Sequence, residues 1–506
     1  MQDTAGTWLM TVLTSSPLLI ALMQTAASLP VLLLGLLAGA TADIFDKRRL
    51  LIFWQAWMLG SVAILSVLTF YGVISPWVLL ILTFALNIGA AMNNPAWQAI
   101  VPELVPRSQV PDAVALNSAA YNLARAVGPA LGGFAVAAFG RYASKGAASV
   151  FLLNALSFVG VIIVLYRWHR TPVFKSALPS ERVFGSLRSG LRYVRYAPVL
   201  RATLFRAIIF TFFVSAAWAL LAVVARRDLH QGAMGYGILN GSMGLGAVCG
   251  AFYLARLRRM LSADVIIAAS TGTFIFTLLV LAFLHVPIII VCFLIAGGFA
   301  WTSTMSTLNV SVQLSVPSWV RARAIGAYQM VLQGGMALGG AIWGLVAERF
   351  STPAALTCAA AGLLVTLPLA LRFHILRGGL PDVSPFQHRR PAPEFLLEHD
   401  PSEGPVRVSI DYRINPADYN AFTHAIHQLR DMRMRDGAIR WGVFQDVTDP
   451  SHMNETFIVE SWIEYLRQRE RLTTSDLRIR DEVLRFHHAD EPPRVSHMIY
   501  AREITN

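Results

Sequence analysis

The sequence predicts an all-α polytopic membrane protein of two six-helix halves, followed by a small α+β domain with a ferredoxin-like order of elements. Three observations carry that expectation. Of 506 residues, 55% are hydrophobic and only 14% charged, whereas a soluble chain carries about a quarter charged. Eleven apolar runs reach the ~20 residues that a helix needs to cross ~30 Å of hydrocarbon. Charge is divided unevenly: residues 1–400 hold 28 Lys and Arg against 13 Asp and Glu, while residues 401–506 hold 14 against 17. The first part is suited to a bilayer and the second to water.

Taken in order, residues 1–14 are apolar in their second half but too short to span, reaching only ~21 Å as a helix. They read as the tail of a twelfth span whose beginning is missing, with a first helix that is short in its own right as the alternative. The eleven full spans run 18–41, 50–71, 76–98, 113–140, 146–166, 201–225, 233–255, 262–284, 286–312, 322–347 and 352–373. Alternating the loops puts Lys47, Arg48, Arg49, Arg107, the arginine-rich segment 167–201, "RLRR" at 256–259, Arg321 and Arg323 on one side. Lys and Arg favour the cytoplasm, so that side is cytoplasmic. The longest cytoplasmic loop, 169–200, separates a half at 1–168 from a half at 201–375. "GPALGG" at 128–133 and "GMALGG" at 335–340 echo one another at matching places in the two halves, as expected of a transporter built from repeats.

Residues 376–404, rich in Pro, Gly and charge, read as a linker. Beyond it, "VRVSIDYRI" alternates as a strand, and a helix opens at Pro416 and closes at Gly437. Strands "IRWGVFQDV" and "TFIVESWI" follow, joined through the turn "TDPSHMNE". A second helical stretch spans 463–487, and "RVSHMIYA" closes the domain at 405–506. The order β-α-β-β-α-β is ferredoxin-like.

Several function classes are excluded. The net charge of +12 comes as short clusters between apolar runs, which is a membrane pattern and not a nucleic-acid face. Cys249, Cys292 and Cys358 lie in apolar runs without paired spacing, so neither a disulfide framework nor a metal site is expected. No phosphate-cradling glycine loop with Lys and Ser/Thr is present, no cofactor is implied, and no cleavable signal peptide is evident.

The stretch "AGATADIFDKRRLL" puts Asp43 and Asp46 beside Lys47, Arg48 and Arg49 in a short turn between two apolar runs. A carboxylate there can accept from the next helix's amides or pair with an arginine. Gly39, Asp43, Lys47, Arg48 and Arg49 resemble the loop signature of the major facilitator superfamily, with Ile44 and Asp46 departing from it. That resemblance implies a gate on the cytoplasmic side. Arg125, Gly128, Pro129, Gly132 and Gly133 resemble the fifth-helix signature of the drug–proton antiporters in that superfamily, implying export. The region 93–133 is also similar to the branch of the enterobactin exporter and the macrolide-efflux proteins, over roughly residues 1–375.

Polar groups inside a bilayer are costly and mark candidate sites. Asn87, Asn94, Trp218, Trp301 and Asn309 fall on the helices that line the cavity in the superfamily, and Asn122, Arg125 and Arg206 add polar groups on the fifth and seventh. Arg125 suits either an anionic substrate or a structural partner. No carboxylate lies deep in a span, so proton coupling is implied by the resemblance alone. The tail resembles the antibiotic-biosynthesis monooxygenase-type domain, which often pairs into dimers. His424, His427, Trp441 and Trp462 are its pocket candidates, although no catalytic constellation appears among them. The expected function is a proton-coupled exporter of small amphipathic drugs or siderophores. It would sit in the bacterial cytoplasmic membrane and keep its tail in the cytoplasm. The alternatives are a membrane-anchored modifying enzyme and a non-transporting scaffold.

Overall fold

A computed structural model describes residues 1–104, 109–139, 143–168, 183–317, 319–372, 382–383, 404–489 and 491–501. The helical part comprises α1 (Gln2–Leu13), α2 (Pro17–Ile44), α3 (Lys47–Phe70), α4 (Pro76–Leu104), α5 (Val110–Ala137) and α6 (Ala143–Arg167). After α7 (Val183–Tyr196) come α8 (Pro198–Val223), α9 (Ala233–Met260), α10 (Ala263–Phe283), α11 (Pro287–Ser315), α12 (Arg321–Arg349) and α13 (Thr352–Arg372). Among the described residues, nine of these helices are long and apolar enough to cross a membrane.

Local chemistry sets where the helices start. Ser16 caps α2 by accepting from the Leu19 amide at 3.3 Å, with Pro17 following at the first helical position. Asp46 caps α3 through the Arg49 amide at 3.0 Å, and Ser262 caps α10 through Val265 at 3.4 Å. Each side-chain oxygen satisfies an amide that has no partner within its own helix. Apolar side chains also cover the outer faces, where Ile81, Val164 and Val365 are exposed. This is the arrangement of helices solvated by lipid.

The first compact unit comprises residues 1–178, 203–310 and 326–375. The second comprises residues 179–202, 311–325 and 376–506. The second contains α7, a helix within the segment 169–200 that the sequence presents as a loop. It also contains the C-terminal domain: β1 (Val406–Arg413), α14 (Tyr419–Asp436), β2 (Ala438–Gln445), β3 (His452–Val459), α15 (Trp462–Glu470), α16 (Thr474–Leu484) and β4 (Arg494–Ile499). The antiparallel sheet has the order β2-β3-β1-β4, with Val408 opposite Phe457 and His497. That is the ferredoxin-like order.

Two boundaries differ from expectation. β3 begins at His452, inside the segment that reads as a turn. Asp446 accepts from the amide of Thr448 at 2.8 Å and Asp449 from that of Ser451 at 3.0 Å, so the reversal closes within fewer residues. The helical stretch at 463–487 is two helices, because Thr473 and Asp476 form a reciprocal capping box that starts a new helix. Of the linker 376–404, only residues 382, 383 and 404 are described.

Candidate functional site at the seams between the two halves

The glycine motifs lie where the halves meet. A Cβ on Gly133 of α5 would stand 2.7 Å from the Ala233 carbonyl oxygen and 2.7 Å from the Gly237 Cα, both on α9. Only hydrogen fits at that crossing. In the matching motif, a Cβ on Gly340 of α12 would meet Thr25 Oγ1 at 3.0 Å and the Ala21 carbonyl oxygen at 3.3 Å, both on α2. Thr25 also donates to the Ala337 carbonyl at 2.8 Å. The last glycine of each repeat thus forms a seam with the opposite half.

The preceding glycines pack differently. Gly132 and Gly128 abut the Met1 backbone, a contact the sequence does not suggest, while Gly339 abuts Ser215 and Phe212 of α8. Pro129 lies within α5, and its carbonyl oxygen faces Gly237.

Polar contacts tie the halves at one end. Ser16 donates to Glu348 at 2.9 Å, and the same carboxylate accepts the Leu18 amide at 3.3 Å. Glu348 therefore sits at the positive end of the α2 dipole, where a carboxylate is favoured. Arg226 donates to the Thr11 carbonyl and, at 3.2 Å, to the Thr11 hydroxyl. Arg227 donates to the Ser15 carbonyl. Asn240 reaches Thr4 at 3.4 Å, and Trp8 stacks on Tyr236 with centroids 6.0 Å apart. Ser16, Glu348, Arg226 and Arg227 do not stand out in the sequence as site candidates, because residue type alone does not reveal which carbonyl an arginine will face.

At the opposite end of α2 lies the signature turn. Arg48 donates to the Leu165 carbonyl at 2.8 Å and to the Tyr166 carbonyl, with its guanidinium 5.9 Å above the Tyr166 ring. It therefore caps the C-terminus of α6 with positive charge. Asp46, where the superfamily signature has glycine, serves as the α3 cap. Lys47 is half-buried, Arg49 is exposed, and among the described residues a Cβ added to Gly39 would meet nothing beyond its own helix within 4 Å. The side chain of Asp43 lies outside the described residues, as do those of Asn122 and Arg125.

The cavity candidates separate into groups. Asn87 donates to the Thr83 carbonyl of its own helix at 2.9 Å, and Asn94 accepts from Gln98 at 3.2 Å. Both spend described hydrogen bonds within α4. Trp218 and Trp301 do converge, with centroids 4.8 Å apart, in an aromatic cluster with Phe210 and Phe274. Asn309 is half-buried on α11. Arg206 pairs with Asp264 of α10 at 2.6 Å, in a cleft also lined by Phe205, Phe210, Thr271 and Leu363. In the sequence Asp264 is a helix-end acid with nothing local to link it to Arg206.

In the C-terminal domain only two of the four pocket candidates meet. His427 packs edge-on against Trp441 at 5.3 Å, while Trp462 packs with Tyr465 and His497 in a separate cluster. His424 is exposed. Trp441 is held by Glu455, which also accepts from Tyr412 and Arg433. Burial raises the Tyr412 phenol well above its ordinary pKa, and the adjacent Glu455 carboxylate adds to the shift. This is a closed structural network.

Two repeated six-helix halves meeting at glycine seams make up the major facilitator fold. Solved structures agree: the nucleoside transporter NupG superposes with a TM-score of 0.53 at 13% identity, covering 74% of this chain and 94% of that one. A POT family transporter in complex with 5-aminolevulinic acid gives 0.56 at 11% identity, covering 74% and 93%. The sequence profile of the transmembrane secretion effector family matches residues 1–505, and the chain belongs to that family. It is a multi-pass membrane transporter. Among relatives, the MFS-type transporter YfiS of Bacillus subtilis is 29% identical over 39% of this chain, which spans 46% of that relative's length. The staphyloferrin A transporter of Staphylococcus aureus is 25% identical, covering 63% of this chain and 79% of that one. The multidrug efflux pump Tap of Mycolicibacterium fortuitum is 25% identical, covering 63% and 78%.

Proposed function

We propose that the chain exports small amphipathic molecules, of the drug or siderophore class, across the bacterial cytoplasmic membrane in exchange for protons. The observation that carries this reading is the paired seam: Gly133 against Gly237, and Gly340 against Thr25 and Ala21. Two close, nearly side-chain-free crossings let residues 1–168 rock against residues 201–375 as rigid bodies around a central substrate, as alternating access requires. The siderophore and drug transporters among the relatives support the substrate class and the direction.

The Lys47–Arg49 end is cytoplasmic by its positive charge, and the C-terminal domain lies on the same side. The Ser16–Glu348 end then faces outward, and its contacts must break when the transporter opens to the exterior. Asp43 gates the cytoplasmic end. Trp218, Trp301 and Asn309 line the substrate path, with Asn87, Asn94, Asn122 and Arg125 as its further polar members. Arg206 acts by holding α8 to α10. The C-terminal domain supports pairing of two copies through its edge strands, where Phe444 and Val495 are exposed.

The test is retention of amphipathic antibiotics, dyes and catecholate siderophores in efflux-deficient bacteria, with and without an uncoupler. The reading predicts lower retention in cells making this chain, abolished both by the uncoupler and by Asp43→Asn. Unchanged retention across the panel in cells with the protein in their membranes would overturn it.

A further inference from the structure

The helix α7 ends one residue before the membrane span that starts at Pro198, so it lies at the bilayer surface whenever residues 198–228 cross. One face is taken. Gly190 is buried against Arg323, and Tyr193 is buried beneath the Arg435 guanidinium and edge-on to Trp319 at 5.7 Å. Arg192 pairs with Glu464 at 3.2 Å, and Arg188 pairs with Glu460. Another face is open. Leu191 is 73% exposed on it, and Arg195 is exposed a turn later.

Beside that face lies a groove of about 290 Å³ lined by Arg195, Tyr196, Pro198, Arg201, Arg430 and Asp431. Arg201 reaches the Arg195 carbonyl at 3.5 Å, and the Arg195 guanidinium sits 5.8 Å from the Tyr196 ring. Three guanidinium groups face one carboxylate there. Among the described residues, none of the three has a carboxylate within ion-pair distance.

We propose that this groove binds the phosphate headgroup of an anionic phospholipid, with Leu191 entering the acyl boundary. Guanidinium forks suit phosphate oxygens. An apolar face flanked by cations at a membrane surface suits an anionic leaflet. Arg430 belongs to α14, so the lipid joins the C-terminal domain to the membrane surface through charge. The inference rests on residues 198–228 crossing the bilayer and not on the direction or substrate of transport.

The test uses the purified full chain in a neutral detergent. Its melting midpoint is followed while short-chain phosphatidylglycerol, phosphatidylcholine or inorganic phosphate is added. The expected result is a saturable rise with phosphatidylglycerol alone. In Arg195→Gln/Arg201→Gln/Arg430→Gln, the lipid concentration giving half the rise increases about tenfold or more. The corresponding triple lysine variant retains most of the response, and Leu191→Asn shifts it in the weaker direction. The proposal is overturned if phosphatidylcholine acts equally, if phosphatidylglycerol gives no rise, or if the glutamine variant responds as the parent does. A rise with inorganic phosphate alone also overturns it, since the groove would then hold a free anion.

Discussion

At the scale of single residues, the two glycines of the α5–α9 crossing leave no room for a side chain. A side chain at Gly133 must displace backbone atoms 2.7 Å away, and overpacking of this kind costs about 1–3 kcal/mol. Gly133→Leu is expected to abolish export while the protein still reaches the membrane, as read by retention assays beside immunoblots. Gly39→Ala should raise the melting midpoint slightly, because alanine favours a helix interior and, among the described residues, no atom beyond its own helix lies within 4 Å of the Cβ position. Arg48→Ala removes the guanidinium that caps α6, and should lower stability by about 1–2 kcal/mol in a detergent melt. Arg206 presents a stronger case, since its side chain is only 4% exposed beside Asp264. Arg206→Met removes the ion-pair partner of the half-buried Asp264 and should cost about 1–3 kcal/mol, whereas Arg206→Met/Asp264→Leu should cost less than the single change. Additive losses would remove the pairing argument.

At the scale of elements, the β2–β3 reversal has a pH signature. Asp446 is held below the usual carboxylate range by the Thr448 hydroxyl and amide and by His452, and Asp449 chiefly by the Ser451 hydroxyl and amide. A carboxyl group depressed in the folded state stabilises it above the ordinary carboxylate pKa of ~4. That contribution is lost as pH falls through the lower, folded value. The protection of amides 446–452 against hydrogen exchange, taken relative to their intrinsic rates, is therefore expected to fall on acidification below about pH 4, and Asp446→Asn should flatten the dependence. Protection that does not respond to acid in the parent chain would contradict the turn's chemistry.

Much at this scale is legible in the sequence. The eleven spans each fall on a helix, and the β-α-β-β-α-β order is present. Serine or aspartate caps and N-terminal prolines mark several of the starts. α7 escapes notice although "VFGSLRSGLRYVRY" spaces Phe184, Leu187, Leu191 and Val194 as one stripe and Arg188, Arg192 and Arg195 as another. A segment so rich in arginine between two spans reads as a solvated loop when only its charge is weighed. Side-chain direction is the least legible property. Asn87 and Asn94 are bonded within their own helix, and Gly237, the partner of Gly133, lies in another span with nothing local to distinguish it from ordinary helix packing.

At the scale of the whole molecule, alternating access requires the halves to part at the Ser16–Glu348 end while the glycine seams act as pivots. Polar ties at a helix end can be released without unpacking an apolar interface, because water replaces their hydrogen bonds. The most direct measurement is transport by the Ser16→Cys/Glu348→Cys variant in a background without Cys249, Cys292 and Cys358, before and after oxidation. Cross-linking is predicted to stop uncoupler-sensitive export, and reduction to restore it. Export that continues undiminished in fully cross-linked protein would contradict the rocking of the two halves.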